Sequence, residues 1–454
     1  MFYRKATENL KEWAKRNDRK PLIIRGARQV GKTTLVNGFA EEFEQYIYLN
    51  LEEPEDADIF ESNEVFDKLL TAIFFYKNSR REGKRTLIFI DEIQYSAKAV
   101  KQLRYFYEKS PDLYVIAAGS LLETVFEADI HFPVGRVEYL YLQPFSFDEF
   151  LRAVDETSAA DILSQIPFPD YAFNKLRDLF HLYVLTGGMP EIVKKYAETR
   201  DILQLSRLYE ALIVSYLDDV EKYADSEKEA KILRHIIRNA FLEAGNRIKF
   251  NNFAKSNYQS REVAEAIAIL EKTHLLSLIY PTTAVELPIV ADKKKSPKLQ
   301  VLDTGFINYF AGIQHDLFSA SEIQDVYKGK IAEHITAQQL KIVYDSPLAN
   351  LHFWVREKKQ SSAEVDFIVS HKGKLIPVEV KSGTTGRLRS LHQFMDRVEH
   401  NLAVRIYGGN FSIQQAKTIA GKSFYLMNLP YFLTLKLKPY LDYFLNFVNK
   451  NHNA

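Results

Sequence analysis

Short apolar runs alternate with segments of helical spacing through the first third of the chain. Residues 86–90 (TLIFI) and 113–118 (LYVIAA) are continuously apolar, the pattern of parallel strands buried on both faces. Residues 21–24 and 137–142 predict two more strands. After the first of these, Leu35, Phe39 and Phe43 recur on one helical face, so 21–43 reads as strand, loop and helix. The alternation predicts an α/β fold with a parallel sheet. From 148 to about 223 the pattern is helical, interrupted at Pro167, Pro169 and the 185–190 turn (LTGGMP). Residues 226–281 predict a helix carrying Leu233, Ile236, Ile237, Ala240 and Phe241, then a loop, a short helix, and a longer helix from Ser260 carrying Val263, Ile267 and Leu270. A strand pair at 275–279 and 284–290 is expected next. Residues 363–383 alternate about Lys372-Gly373 and predict a hairpin, with Val365, Phe367 and Val369 on one face of its first strand and Ile376, Val378 and Val380 lining the second.

A chain of 454 residues exceeds one ordinary core, which predicts two to four domains. Hydrophobic residues at 46% and charged residues at 26% exclude a mostly disordered chain. Sixty basic residues against 59 acidic leave a net charge of +1, so any polyanion must be met by a local patch. The absence of cysteine excludes disulfides, thiolate zinc sites and thiol nucleophiles, and fits a reducing interior. Residues 1–20 lack the apolar core of a signal peptide. The aromatic-rich 425–448 tail is broken by Pro430, Lys436, Lys438 and Pro439, short of the roughly eighteen apolar residues needed to span a bilayer. A soluble, cytoplasmic protein without membrane contact is expected.

The loop after the first strand reads GARQVGKT, residues 26–33, matching G-x-x-x-x-G-K-[ST]. In this strand–loop–helix setting, Gly26 and Gly31 let the backbone N–H groups of Ala27, Arg28, Gln29, Val30 and the following residues to Thr34 curl round phosphates. Lys32 reaches the β and γ phosphates, and the Thr33 hydroxyl ligates magnesium. The buried 86–90 strand ends in Asp91-Glu92. Asp91 is the candidate magnesium carboxylate, and Glu92 the group that polarises the attacking water, which favours ATP hydrolysis over binding alone. Ser120 closes the 113–118 strand, placed to hydrogen-bond a γ-phosphate or its water. Arg136 is a candidate finger for transition-state charge, in its own chain or towards a neighbouring subunit of a homo-oligomer.

IIRGARQVGKTTL, LIFIDEIQ, VIAAGS, GRVEYLYLQPFSFDEFL and LTGGMPE together resemble the prokaryotic AAA+ ATPases that carry a C-terminal domain of unknown function. The resemblance extends over nearly the whole chain. It implies that Gly26, Gly31, Lys32 and Thr33 form the Walker A site and Asp91 and Glu92 the Walker B site. Ser120 stands where many such proteins have a sensor asparagine.

The helical stretch 148–225 is then expected to be an ATPase lid, with the Gly187-Gly188 turn near the nucleotide base or the lid hinge, or simply joining two helices. The order of elements in 226–296 suits a winged helix. Its exposed face would present Lys255, Asn257, Tyr258, Gln259, Ser260 and Arg261 to DNA, although such domains also serve in dimerisation and packing. Residues 292–298 (DKKKSPK) are expected as a linker or the tip of the wing.

In the hairpin AEVDFIVSHKGKLIPVEVKSG, alternation places Asp366 opposite Val365 and Phe367, and Glu379 beside Lys381 on one face. Asp366 and Glu379 are candidate ligands for magnesium, and Lys381 a candidate to stabilise negative charge during phosphodiester cleavage. Glu333, on a predicted helix over 327–340, would complete the shell, and Gln393 would position the scissile phosphate. The segment resembles the PD-(D/E)xK nuclease superfamily, in its resolvase-like branch. The same alternation also suits a plain solvent-exposed hairpin. Residues 351–420 hold eleven Lys/Arg against six Asp/Glu, which favours a nucleic-acid surface. The expected organisation is thus an AAA+ P-loop core (1–147), helical lid (148–225), winged-helix domain (226–296) and α/β nuclease-like domain (297–454). The rival is a nucleotide-dependent switch or scaffold whose last domain binds a partner and cleaves nothing.

Overall fold

The computed structural model describes residues 2–63, 65–119, 135–312, 329–344, 350–358, 361–383 and 387–452. The chain forms two compact units, residues 1–143 with 272–275, and residues 144–271 with 276–454.

The first unit is built on five parallel strands, β1 (Leu22–Arg25), β2 (Gln45–Asn50), β3 (Thr86–Asp91), β4 (Tyr114–Ala118) and β5 (Glu138–Tyr141), in the order β2-β3-β4-β1-β5. The interior strand β3 is buried along its whole length, as its unbroken apolar run requires, whereas the edge strand β2 is half exposed. Leu69, Leu70 and Ile73 of the Phe66–Tyr76 helix and Val100, Leu103 and Phe106 of the Ala97–Lys109 helix pack with Ile88, Ile90 and Val115 of the sheet. Ser96 starts the Ala97–Lys109 helix by accepting the Ala99 N–H at 3.1 Å. Because all five strands run the same way, the loops after β1 and β3 emerge at one edge, where α/β sheets bind ligands.

The second unit opens with helices. The first, Phe147–Ala153, begins with a reciprocal cap in which the Ser146 N–H donates to Glu149 and the Glu149 N–H to Ser146 Oγ. Helices Glu227–Glu243 and Ser260–Lys272 follow as the apolar spacing predicts. A mixed eight-stranded sheet completes the unit, in the order β12-β13-β11-β10-β9-β8-β6-β7. Its strands are β6 (Leu276–Thr282), β7 (Lys298–Val301), β8 (His352–Lys358), β9 (Ser361–His371), β10 (Lys374–Lys381), β11 (Leu402–Tyr407), β12 (Ser412–Lys417) and β13 (Ser423–Pro430).

Three expectations change here. Residues 284–290 form no strand: Pro288 has no N–H to give a ladder, and the segment is a loop pinned by Thr282, whose hydroxyl donates to the Val290 carbonyl and accepts from the Ala284 N–H. The partner of β6 is instead β7, paired antiparallel from Leu276↔Val301 to Ile279↔Lys298. Since β6 also pairs with β8, these strands are the edge of the C-terminal sheet, and a boundary at 296/297 would fall between them. Where β8 pairs with β9, His352 faces Ile368 but Trp354 faces Val365, so β9 carries one extra residue at Asp366-Phe367. This bulge turns Val365 to the face of Ile368, where both join Trp354, Leu391 and Phe394 in one apolar cluster, away from the Phe367 and Val369 face expected for it.

The 185–190 turn is held inside the second unit by Asp303. The buried carboxylate of Asp303 accepts the Gly188 N–H at 2.7 Å, the Gly305 N–H at 2.9 Å and Gln338 Nε2 at 2.9 Å. Gly187 has φ +66°, and a Cβ there would lie 1.8 Å from Asp303 Oδ1. Replacing Asp303 with Ala orphans several buried donors at about 1–3 kcal/mol each, so a stability loss of about 3 kcal/mol or more is expected in urea unfolding. A loss below about 1 kcal/mol would show that Asp303 does not pin the turn.

Candidate functional site

At the end of β1 the backbone turns at Gly26 with φ +147°, and a Cβ on this residue would stand 2.3 Å from the Leu142 carbonyl oxygen. Only glycine passes this close to the chain leaving β5. The loop then runs to Gly31, the residue that starts the Lys32–Phe39 helix. Lys32 is buried, and its Nζ donates to the carbonyls of Gly26 at 3.0 Å and Ala27 at 2.9 Å. Val30 is buried, whereas Gln29 and Thr34 are exposed and Arg28 is half-buried. Arg4, which sequence reasoning missed, is also buried and clamps the loop, donating to the Val30 carbonyl at 3.1 Å and the Gln143 carbonyl at 2.7 Å. No local motif marks it, because it lies far upstream of the loop it holds.

Strand β3 delivers Asp91 to this loop. The Thr33 hydroxyl donates to Asp91 Oδ2 at 2.7 Å, and the Tyr48 hydroxyl donates to the same oxygen at 3.3 Å. The Glu92 N–H donates to Asp91 Oδ1 at 3.0 Å. Burial and the neighbouring Asp91 raise the Tyr48 hydroxyl to about 12, so it stays a donor. Glu92 sits at φ +50°, a left-handed conformation costly for a residue with a Cβ, and the Gln94 amide donates to its carboxylate. Tyr48 and Gln94 were not foreseen either, although Tyr48 lies on the half-exposed edge strand two residues before its end. Thr33 and Asp91 are hard oxygen donors beside a phosphate-binding loop, a set that fits magnesium.

Ser120 lies outside the described residues. Arg136 is not brought to the loop. It precedes β5, which pairs parallel with β1 from Leu22↔Glu138, so it lies at the opposite edge of the sheet from Gly26. There its Nε donates to Glu108 Oε1 at 2.9 Å in a surface ion pair shared with Arg104. A finger acting within the same chain is therefore corrected by the direction of the strand. In the second unit Lys255, Asn257, Gln259, Ser260 and Arg261 are exposed as expected, with Tyr258 half-buried against His235 and Arg261 paired to Glu265.

The C-terminal candidates gather at the bulge of β9 and the end of β10. Asp366 Oδ2 accepts the Val380 N–H at 2.8 Å, and Glu379 Oε1 accepts Lys381 Nζ at 2.7 Å. Glu333, on the Gly329–Val343 helix, reaches the same cluster, but through an unforeseen residue. Lys298, the first residue of β7, places its Nζ 2.8 Å from Glu333 Oε2, 2.8 Å from Glu364 Oε1 and 3.6 Å from Asp366 Oδ1. Burial pushes the carboxyls of Glu333, Asp366 and Glu379 up, and Lys298 and Lys381 draw them part of the way back. Burial also opposes the charge of Lys298, yet Glu333, Asp366 and Glu364 together hold it above the usual lysine range. Among the described residues no group of three or more His, Asp or Glu side chains is arranged to hold a metal ion. The expected magnesium shell of Glu333, Asp366 and Glu379 does not fit this arrangement, since an ammonium stands among the oxygens. Gln393 accepts a hydrogen bond from Arg356 at 2.7 Å.

A parallel sheet with a Lys32 loop at its ligand-binding edge and an Asp91-Glu92 pair beside it defines a P-loop nucleotide-binding protein. Family models agree: the AAA domain matches residues 18–151, a domain of unknown function (DUF8612) matches 177–317, and a second (DUF4143) matches 328–431. The chain thus carries an AAA P-loop ATPase domain followed by two domains of unknown function. No curated protein matches it in sequence. Among solved structures it is similar to the Walker-type ATPase of Pyrococcus abyssi, with 16% identity over 68% of this chain and 96% of that one at a TM-score of 0.43. It is also similar to the RuvB Holliday junction branch migration motor of Thermotoga maritima, with 17% identity over 64% and 93% of the two chains at a TM-score of 0.27. Among the described residues no helix is long and apolar enough to cross a membrane.

Burial lowers Lys32 to about 8, with Glu92 and Asp91 opposing the fall. The charged amine is the form that attracts phosphate. As pH rises from about 7 to about 9, the free protein loses this charge, so ATP affinity should decline through this range with a proton taken up on binding. The nucleotide-free protein, whose Lys32 holds its proton less tightly than in the unfolded chain, should gain stability from about pH 8 to about pH 10. Calorimetry in two buffers of different ionisation enthalpy checks the proton count. A flat affinity with no proton uptake would remove Lys32 as the titrating group.

Proposed function

We propose that this protein is an ATP-hydrolysing switch that acts on or near DNA, and that its C-terminal carboxylate centre serves binding and not cleavage. The observation that carries the ATPase part is the 2.7 Å bond from Thr33 to Asp91, which joins the phosphate loop to the strand that presents Glu92. In this reading the loop amides and Lys32 bind and orient the triphosphate. Thr33 and Asp91 would hold magnesium, which neutralises phosphate charge when bound. Glu92, oriented by Gln94, takes the proton of the attacking water. Arg136, half-buried in its ion pair with Glu108 and far from the loop of its own chain, would serve the site of a neighbouring copy in a homo-oligomer.

DNA is supported by the local excess of basic residues in 351–420 and by the exposed polar face at 255–261. The scaffold reading of the last domain is favoured over magnesium-dependent cutting because Lys298 is ion-paired among the carboxylates that a nuclease would use for metal.

The Lys32→Ala variant should lose ATP binding, while Glu92→Gln should bind ATP with near wild-type affinity and hydrolyse it at least about a hundredfold more slowly. Fluorescent-nucleotide titration and phosphate release measure the two separately. Hydrolysis by Glu92→Gln at the wild-type rate would remove Glu92 from the mechanism. Supercoiled plasmid should survive incubation with protein, ATP and magnesium; nicking that Asp366→Ala abolishes would restore the nuclease reading.

A further inference from the structure

We propose that Lys298 is the resident cation of the C-terminal centre, so that Glu333, Glu364 and Asp366, with Glu379 beside Asp366, form a latent divalent-metal site held closed by a lysine of the same chain. An ammonium has three donors, and Nζ of Lys298 has three carboxylates round it, at 2.8, 2.8 and 3.6 Å. A divalent ion would need these oxygens at about 2.0–2.6 Å, which the ammonium between them prevents.

The lysine is fixed from its backbone outwards. Antiparallel pairing with Ile279 holds it on one side. On the other, the Ile248 N–H donates to the Pro297 carbonyl at 2.9 Å, the Leu299 N–H to the Asn246 carbonyl at 2.9 Å, and the Gly245 N–H to the Leu299 carbonyl at 2.8 Å. Its side chain is 7% exposed and passes over the Phe353 ring, with Nζ 5.0 Å from the ring centroid. It is therefore part of the packed interior and not a surface arm that visits the site.

The centre also shows what it lacks. Among the described residues Glu379 Oε2 is buried without a hydrogen-bond partner, while the other oxygen is taken by Lys381. Buried carboxylate oxygens need donors or cations. Lys298 serves Glu333, Glu364 and Asp366 and leaves this one unserved. Removing the ammonium would leave Glu333, Glu364 and Asp366 facing one another, with Glu379 next to the Val380 N–H that holds Asp366, and too little positive charge among them; a divalent cation is the compact group that could meet these oxygens. The inference concerns the second unit and does not depend on ATP hydrolysis.

Mn²⁺ titration of the full-length, nucleotide-free protein by electron paramagnetic resonance tests this, with wild type, Lys298→Met, Lys298→Met/Glu379→Gln, Lys298→Arg and Glu379→Gln compared. Wild type, Lys298→Arg and Glu379→Gln should bind Mn²⁺ alike. Lys298→Met should gain one saturable site, with a thermal unfolding midpoint that rises on adding Mn²⁺, and Glu379→Gln in that background should remove both effects. Unchanged ATP hydrolysis by Lys298→Met shows that the first unit is intact. A wild-type Mn²⁺ site that Glu379→Gln destroys would overturn the proposal whether or not Lys298→Met folds. So would a folded Lys298→Met that gains no site.

Discussion

The first unit depends on a close approach of two backbones, where the chain leaving β1 at Gly26 passes the Leu142 carbonyl with no room for a side chain. That approach follows from the sheet order, in which β1 lies between β4 and β5, so the chain ends of three parallel strands converge on one edge. With Gly26 fixed, its carbonyl and that of Ala27 are in reach of Lys32, and the Lys32–Phe39 helix begins beside β3. Arg4 closes the arrangement by tying the loop at Val30 to the chain after β5 at Gln143. A buried guanidinium shared between two carbonyls is stable only while both stay in place, so the loop and the chain after β5 hold each other.

What could be read from the chain follows the range of the interactions involved. The phosphate loop and the Asp91-Glu92 pair were legible because each is a contiguous string at the end of an apolar run, and strand direction alone decides where that end lies. The same rule, applied to β5, separates Arg136 from the loop: a residue before a parallel strand and a residue after one lie at opposite edges. Tyr48 and Gln94 were missed because their partners lie on another strand or round a left-handed turn, which no periodicity records. The apolar character of 284–290 suggested a strand, but a ladder needs donors as well as apolar side chains, and Pro288 supplies none. In β9 strict alternation held until the bulge at Asp366-Phe367, where one added residue exchanged the faces of everything before it.

Lys298 is the clearest case of a residue hidden by its neighbours. It closes the run DKKKSPK, whose composition suggests a solvated turn, yet its side chain is buried while those of Lys293 and Lys294 are exposed. The difference is register: Lys298 is the first residue in the run to enter a ladder, and pairing with Ile279 turns it towards the Gly329–Val343 helix and the hairpin. Its partners lie 35 residues on at Glu333 and still further on at Glu364 and Asp366, so only the sheet order brings them together.

The two carboxylate centres show why donor type, more than the number of acids, decides what a site can hold. At Asp91 the hydrogen bonds come from the Thr33 and Tyr48 hydroxyls and the Glu92 N–H, all neutral groups that fix the carboxylate without cancelling its charge. The nearby ammonium of Lys32 is directed instead to the carbonyls of the loop. A negative charge held in place by neutral donors still attracts a cation. At Asp366 the backbone donor Val380 N–H is likewise neutral, but Lys298 adds a full positive charge among the acids. There the attraction that would draw in a divalent ion is already spent within the chain, while the hydroxyl-bound Asp91 retains it.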